Sequence, residues 1–293
     1  MNKLDSSDIF TITSLVKEKR NLLNVGMGPI GDNIFKLARK LNIKLVFLPI
    51  ENTDNPTNGF SALYLESKEP TKNVAFVGLN TFQRYDRQIF AIAHEFYHHW
   101  TGTTLTVCHL EDEKSEITEL KANRFAAEFL LPTETLLQEI GEKTGGKQNL
   151  SDITYLGVLR FISLLHCDYR LPYKAIIRRL FEINAISKTV YEKLCEENAR
   201  DENGTYYKLG LSQNKEIFEK LNVSTMSTGV DGENFDMMIN FLENDVITLE
   251  ELANDLSLFE KELSDFELEE EVDDDSLEEL GDILKDYIDD EAE

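Results

Sequence analysis

The stretch AIAHEFYHHWTG, residues 91–102, places three of the chain's five histidines within six positions, with one glutamate among them. His94, Glu95 and His98 form an HExxH pattern. On a helix, residues four apart point from the same face, so both histidines could reach one metal ion. Glu95 lies beside them and could hold or deprotonate a water on that metal without being a ligand itself. Because neutral imidazoles suit zinc, the stretch predicts a catalytic zinc site rather than a polar helix surface.

The residues around this stretch favour a helix that follows a small sheet. Apolar residues at three- and four-residue spacing predict a helix from about residue 86 to 100, which Gly102 ends: Ile89, Ala93, Phe96 and Trp100. We expect Trp100 and the later aromatic residues Phe125 and Phe129 to belong to the core. Three strands are predicted upstream, over 44–50, 61–67 and 73–80. An extended peptide could add to an edge of that sheet, for which 73–80 is the candidate.

A catalytic zinc needs a third protein ligand and one open position. The longer pattern with a further glycine and histidine fails, because Thr101 and Thr104 occupy those places. The next predicted helix carries Glu119 and Asn123 four residues apart, on one face. Glu119 is the favoured third ligand, and Asn123 could orient a ligand through a hydrogen bond.

Several other residues stay open as weaker candidates. Glu116 lies one turn before Glu119, and two loop residues could also act as ligands: Cys108 and His109. The group that stabilises the oxyanion of a hydrolytic reaction is not identified by any pattern. Three residues qualify by type alone, although a packed aromatic ring or a surface imidazole explains each more simply: Tyr97, His99 and His166.

The chain is expected to have an α+β fold, with a small three-stranded sheet packed on the HExxH helix and on the helix that carries Glu119. Four segments are predicted. They are an N-terminal helical extension over 1–28, a zincin-like metallopeptidase core over 29–145, a helical region over 146–228 and an acidic tail over 229–293. The second helix ends at Pro132, and a glycine-rich joint over 141–149 precedes the helical region.

The net charge of −25 is concentrated at the C-terminal end. Residues 231–293 contain 26 acidic and 2 basic residues, whereas the first 230 contain 29 and 28. The balanced body has no basic stripe, so direct nucleic-acid binding is not expected, and Arg178 and Arg179 are interpreted as a solvated helix face. In the tail, TLEELANDL and SLEELGDILKDYI predict short capped helices, while 267–275 is expected to be disordered. Such a tail could bind a basic protein partner.

The composition of the chain bears on its compartment and on membrane association. There is no run of 18 apolar residues and no signal-peptide core, so neither membrane insertion nor secretion is expected. Three cysteines without CxxC spacing argue against a disulfide framework. The expected location is the cytoplasm.

Two segments together resemble a known family. RQIFAIAHEFYHHW, followed by ELKANRFAAEFLLP, resembles the paired helices of the ImmA/IrrE family of bacterial and phage metallopeptidases, which are gluzincin-like. The upstream GFSALYLESKEPTKNVAFVGLN resembles the family's strand segment, so the similarity covers about residues 30–190. The resemblance implies that His94, His98 and Glu119 bind zinc and that Glu95 is the catalytic acid and base. It also implies a helix-turn-helix repressor as substrate, and the acidic tail departs from the short members.

The sequence is consistent with two functions from different classes. The first is a zinc-dependent endopeptidase of narrow specificity that cleaves a repressor-type regulator. The second is a non-proteolytic, metal-containing regulator or toxin–antitoxin component that captures proteins through its helical region and tail. The intact Glu95 favours the first, because a purely structural metal site has no need of a general base.

Overall fold

Four strands form one mixed sheet in the part of the chain that the computed structural model describes, which is residues 4–51, 61–69, 72–103, 113–230, 242, 247–257 and 262–266. The strands are β1 (Ile43–Leu48), β2 (Ala62–Glu69), β3 (Lys72–Asn80) and β4 (Gly229–Val230). Their order is β2-β3-β1-β4. β1 runs parallel to β3, whereas β2 pairs antiparallel with β3 and β4 pairs antiparallel with β1.

This order corrects the expectation that 73–80 forms an edge of the sheet. β3 has a neighbour on each side, because β1 pairs with it from Ile43↔Ala75 onward and β2 pairs from Ala62↔Leu79 onward. Within the described residues the two edge strands are β2 and the two-residue β4. The expectation followed the sequence order, in which 73–80 is the last of the three predicted strands. In the sheet, however, β1 lies beside β3 on the side away from β2.

The predicted α+β class is confirmed. The helices of the first part of the chain are α1 (Ser6–Leu23), α2 (Ile34–Lys40), α3 (Tyr85–Thr101), α4 (Glu113–Leu130), α5 (Thr133–Thr144), α6 (Tyr155–Tyr169), α7 (Tyr173–Glu182), α8 (Lys188–Glu196), α9 (Thr205–Gln213) and α10 (Lys215–Asn222). The sheet contains a fourth strand, β4, in addition to the three that were predicted. It was not predicted because its two residues are too few to produce a strand pattern.

Aromatic packing fixes α3 against α4. The ring centroids of Phe96 and Phe129 lie 5.8 Å apart, those of Trp100 and Phe125 lie 5.6 Å apart, and Phe125 stacks on Phe129 at 5.5 Å. Both phenylalanines of α4 are fully buried, as the sequence predicted. Such aromatic pairs stabilise a packed interface beyond the area they bury. The helix that carries His94 is therefore held in a fixed position relative to α4.

A second, buried polar cluster holds the first turn of α3. Asp86 accepts hydrogen bonds from His166 Nε2 on α6, at 3.1 Å, and from Arg200 Nη2, at 2.5 Å. The hydroxyl of Tyr206 on α9 lies 3.0 Å from His166 Nδ1. The side chains of Asp86, His166 and Tyr206 are fully buried. Because both ring nitrogens of His166 are engaged here, this histidine ties three helical segments together.

The chain divides into two compact units, residues 1–231 and 232–293. In the second unit, α11 spans Leu249–Ser257 and begins with the predicted capping box. Thr248 Oγ1 accepts from the Glu251 backbone N–H at 3.2 Å, and Glu251 Oε2 accepts from the Thr248 N–H at 2.8 Å. The other predicted tail helix and residues 267–275 lie outside the described residues. The finer boundaries near residues 28, 145 and 228 stay predictions.

Among the described residues, no helix is both long enough and apolar enough to cross a bilayer.

Candidate metal centre

Helix α3 presents His94 and His98 on one face, one turn apart. The helix starts after Arg84, whose backbone is extended, and ends at Gly102, whose φ of 65° is favourable for glycine. The two imidazole centroids lie 5.1 Å apart. The predicted helix is thus confirmed to within one residue at each end, and its four-residue spacing brings both rings to the same point.

Glu119 of α4 reaches the same point from the opposite side. Its carboxylate Oε2 lies 3.1 Å from His94 Nε2, and its Oε1 lies 3.4 Å from His98 Nε2. The two Nε2 atoms are 3.2 Å apart. One ligand atom from each of the three residues lies within 4.8 Å of the others, so the group could hold a metal ion.

The other nitrogen of each ring faces a hydrogen-bond acceptor. His94 Nδ1 lies 3.2 Å from Asn123 Oδ1, and His98 Nδ1 lies 2.9 Å from the Thr103 carbonyl oxygen. A carbonyl oxygen can only accept, so each Nδ1 carries the proton of the neutral ring. Each Nε2 is then unprotonated, and its lone pair faces the Nε2 of the other histidine and the Glu119 carboxylate.

This arrangement fits a divalent metal ion. Two imidazole lone pairs and a carboxylate converge with no proton donor between them, which is unfavourable unless a cation lies at their centre. Two nitrogen donors and one oxygen donor form a set that catalytic metal sites use, with a fourth position left for water or substrate. The residues present therefore match the group that they would have to bind.

The pKa shifts agree that this point favours positive charge. Burial alone would lower the pKa of His94, but the hydrogen bond to Glu119 and the charges of Glu95 and Glu119 outweigh it and raise the pKa. Burial alone would raise the pKa of Glu119, but the hydrogen bonds and charges of both histidines lower it to about 2. A metal ion bound at this point would supply that positive charge.

Glu95 lies next to the group without joining it. Its side chain is 4% exposed, and the carboxylate accepts a hydrogen bond from the Tyr64 backbone N–H on β2. The second oxygen, Oε2, has no hydrogen-bond partner among the described residues. Burial raises the pKa of Glu95 and Glu119 adds to this, although the two histidines act in the opposite direction. A buried carboxylate with one free oxygen is placed as a general base requires.

The weaker candidates lie elsewhere or outside the described residues. Glu116 is exposed and is not part of the group. Tyr97 is buried and packs on Phe125, with ring centroids 5.7 Å apart. His99 Nδ1 faces the Tyr64 hydroxyl at 3.0 Å. His166 belongs to the buried cluster at the start of α3. Two loop candidates fall outside the described residues: Cys108 and His109.

Sequence reasoning missed the residues that act through backbone atoms. The Thr103 carbonyl holds His98 and the Tyr64 N–H holds Glu95, and no side-chain pattern reports either contact. Arg87 also escaped notice, although it lies seven residues before His94 on the same face of α3.

A cavity of about 700 Å³ opens beside the group and is lined by His94, Glu95 and Glu119, by the start of β2 and by α7. Its lining includes Arg179, which is fully buried. The expectation of a solvated face is therefore wrong for Arg179, because the side chain turns inward to bond Glu128 and the carbonyl oxygen of Leu131. The expectation holds for the exposed Arg178.

Comparison with known families supports the same part of the chain. Residues 38–181 match the peptidase M78 model, described as the IrrE N-terminal-like domain. This range lies within the 30–190 that the resemblance indicated and contains the HExxH helix, Glu119 and the cavity. No curated protein is significantly similar to the chain. Through residues 38–181, the chain belongs to the ImmA/IrrE family of peptidases.

Proposed function

We propose that the chain is a zinc-dependent endopeptidase of narrow specificity, in which His94, His98 and Glu119 bind the metal and Glu95 moves the proton. The observation that carries this proposal is the convergence of two Nε2 atoms, 3.2 Å apart, on the Glu119 carboxylate. The adjoining cavity leaves room for water and a peptide at the fourth position. Two histidines and one glutamate with an open position are the ligand set of a catalytic zinc.

Each residue has a separate task in the hydrolysis. When bound, zinc supplies a Lewis acid that lowers the pKa of water and polarises the scissile carbonyl. Glu95 Oε2 takes the proton from the attacking water and later passes it to the leaving amine. The Tyr64 N–H fixes the other end of that carboxylate. Asn123 and the Thr103 carbonyl hold the two imidazoles with Nε2 turned inward.

The free edge of β2 is a suitable place for an extended substrate. Ser61 and Ala62 line the cavity, and the Tyr64 N–H donates a hydrogen bond to Glu95. A peptide that adds to this edge by main-chain hydrogen bonds would pass the catalytic carboxylate. This replaces 73–80 as the proposed binding strand.

The proposed substrate is a helix-turn-helix repressor. Membership of a peptidase family supports a protein substrate, and the resemblance supports a regulator of this type. A purely protein-binding role is less well supported, because it leaves the free carboxylate oxygen of Glu95 without a task. Binding of a basic partner by the tail stays a prediction.

A matched pair of glutamine variants tests the proposal. The chain is co-expressed, one at a time, with the helix-turn-helix repressors of its own genome, and the mass of each repressor is measured. We expect one of them to be cleaved by the wild type and by Glu116→Gln, and none by Glu95→Gln, with one zinc retained in all three. Cleavage by Glu95→Gln would contradict the mechanism, and intact repressors throughout beside the wild type would contradict the substrate.

A further inference from the structure

One wall of the cavity carries an excess of positive charge. It is formed by α7, by the middle of α4 and by the first turns of α3. Five cationic side chains line it, and we call them the cationic wall: Arg87, Arg124, Lys174, Arg178 and Arg179. Apart from the two carboxylates at the metal centre, Glu182 is the one acidic residue in the described lining. The net charge of the wall is thus positive, opposite to that of the carboxylates at the metal centre.

The arginines of the wall outnumber the carboxylates that they contact. Glu128 Oε2 lies 2.8 Å from Arg124 Nη1 and 2.7 Å from Arg179 Nη2. Glu182 is shared, because it contacts Arg178 at 3.2 Å, Arg124 at 3.1 Å and Arg179 at 3.9 Å. Three arginines therefore share two carboxylates. Such a cluster keeps a net positive charge.

Arg179 leaves donors unused within this cluster. Its side chain is 0% exposed, yet Nε and Nη1 have no hydrogen-bond partner among the described residues. Burial lowers its pKa to about 10, partly offset by Glu128, so the guanidinium is still charged at neutral pH. A buried charged donor without a partner is costly. Because the side chain is 0% exposed, this charge acts on the cavity through its electric field rather than by direct contact.

The positive charges in the outer part of the wall have even fewer carboxylate partners. Lys174 is exposed in the first turn of α7 and forms no ion pair with any described residue. Arg87 donates to the neutral Gln83 Oε1 at 3.1 Å, and within the described residues it has no carboxylate partner. A concave site lined by one sign of charge focuses its potential on whatever enters.

We propose that the cationic wall is a specificity subsite for an acidic side chain of the peptide substrate, received by Lys174 and Arg87 in front of the Arg124–Arg179 pair. This proposal rests on the proposed function and adds the substrate class: a peptide with Asp or Glu near the scissile bond. Arginine pairs carboxylates in a bidentate geometry and lysine as a point charge, so both types suit this task.

The test measures binding rather than cleavage. A set of alanine-rich heptapeptides with both ends capped carries one Glu at successive positions, and a second set carries Gln at the same positions. Isothermal titration follows their binding to the full-length, zinc-loaded Glu95→Gln chain. At one position or more, we expect the Glu peptide to bind about fivefold tighter than its Gln partner. Raising the salt concentration should reduce this ratio.

Two substitutions on the wall and one away from it locate the effect. Lys174→Gln and Arg87→Gln should each bring the ratio toward one. Lys188→Gln should leave it unchanged, because Lys188 is an exposed lysine of α8 that pairs with Glu192 and lies outside the cavity lining. The acidic tail is present in every arm. The buried arginines are left intact so that folding is preserved.

The outcomes separate this proposal from the proposed function. The Glu preference should persist after zinc is removed by a chelator, because the wall is built without the metal ligands. Equal binding of both sets, no binding of any Glu peptide at about 1 mM, or a preference unchanged in both wall variants would overturn the subsite. A chain that shows the preference but neither binds zinc nor cleaves would overturn the peptidase and leave the subsite standing.

Discussion

Helix α3 carries a histidine–carboxylate group at each end, and the two groups differ in one respect. Near its C-terminal end, His94 and His98 use Nδ1 for orientation and leave Nε2 facing Glu119 and a cavity. At its N-terminal end, Asp86 faces His166, both of whose nitrogens are engaged, and Arg200 completes the cluster. The residue types are similar, so function depends on which atoms remain without a partner.

The largest effect is expected from removing one imidazole of the metal group. His98→Ala should lower zinc affinity by more than about a thousandfold, since two ligands cannot hold a catalytic zinc. Zinc titration against a competing chelator measures this. The comparison predicts that His166→Ala leaves zinc affinity unchanged while it destabilises the fold. Equal zinc loss in both variants would erase the distinction between the two groups.

Removing the carboxylate of the closed group should cost stability instead. Asp86→Ala leaves Arg200 and His166 without their shared partner, and we expect the free energy of unfolding to fall by about 3–5 kcal/mol. Urea denaturation of the metal-free chain measures the loss. Asp152→Ala is the matched control, because Asp152 forms an exposed pair with Lys147 and its removal should have no measurable effect. A small loss for Asp86→Ala would mean that the cluster is not structural.

The same carboxylate predicts a pH dependence. Burial alone would raise the pKa of Asp86, but the hydrogen bond and charge of His166 and the guanidinium of Arg200 outweigh it and lower the pKa. A carboxyl whose pKa is lower in the folded chain adds stability above its unfolded pKa of about 3.9 and loses it as the pH falls further. In Asp86→Asn, stability should therefore fall less steeply below about pH 4, by up to about 1.4 kcal/mol per pH unit. Parallel acid limbs would contradict this.

The smallest effects should come from the residues that orient each ring. Asn123→Ala removes the acceptor at His94 Nδ1 and should weaken zinc binding by about 10- to 100-fold. Tyr206→Phe removes the hydroxyl at His166 Nδ1 and should lower stability by about 1–2 kcal/mol without changing zinc affinity. Measuring both quantities on both variants sharpens the comparison, because each should move only one of them.

Helical spacing explains how much of the site could be predicted. His94, His98, Glu119 and Asn123 are paired four residues apart, so sequence alone placed each pair on one face. The α+β class followed from the order of periodic segments. Thr103 was missed because its backbone carbonyl oxygen makes the contact, and any residue type provides that atom.

The remaining differences between the sequence-based predictions and the structure arise from contacts between segments that are distant in the chain. The edge strand was assigned wrongly because β1 pairs in parallel with β3, which no local pattern reports. Arg179 was expected to face solvent, but Glu128 on α4 turns it inward. A carboxylate 51 positions away in the chain decides its burial, and helix periodicity alone cannot supply that partner.

The zinc content of three purified chains tests the central claim most directly. Elemental analysis after supplying zinc should give one zinc per chain for the wild type and for Glu116→Gln, and none for Glu119→Gln. That result is expected because Glu119 lies 3.1 Å and 3.4 Å from the two Nε2 atoms, whereas Glu116 is outside the group. A folded wild type without zinc, or a Glu119→Gln chain that keeps it, would contradict the account.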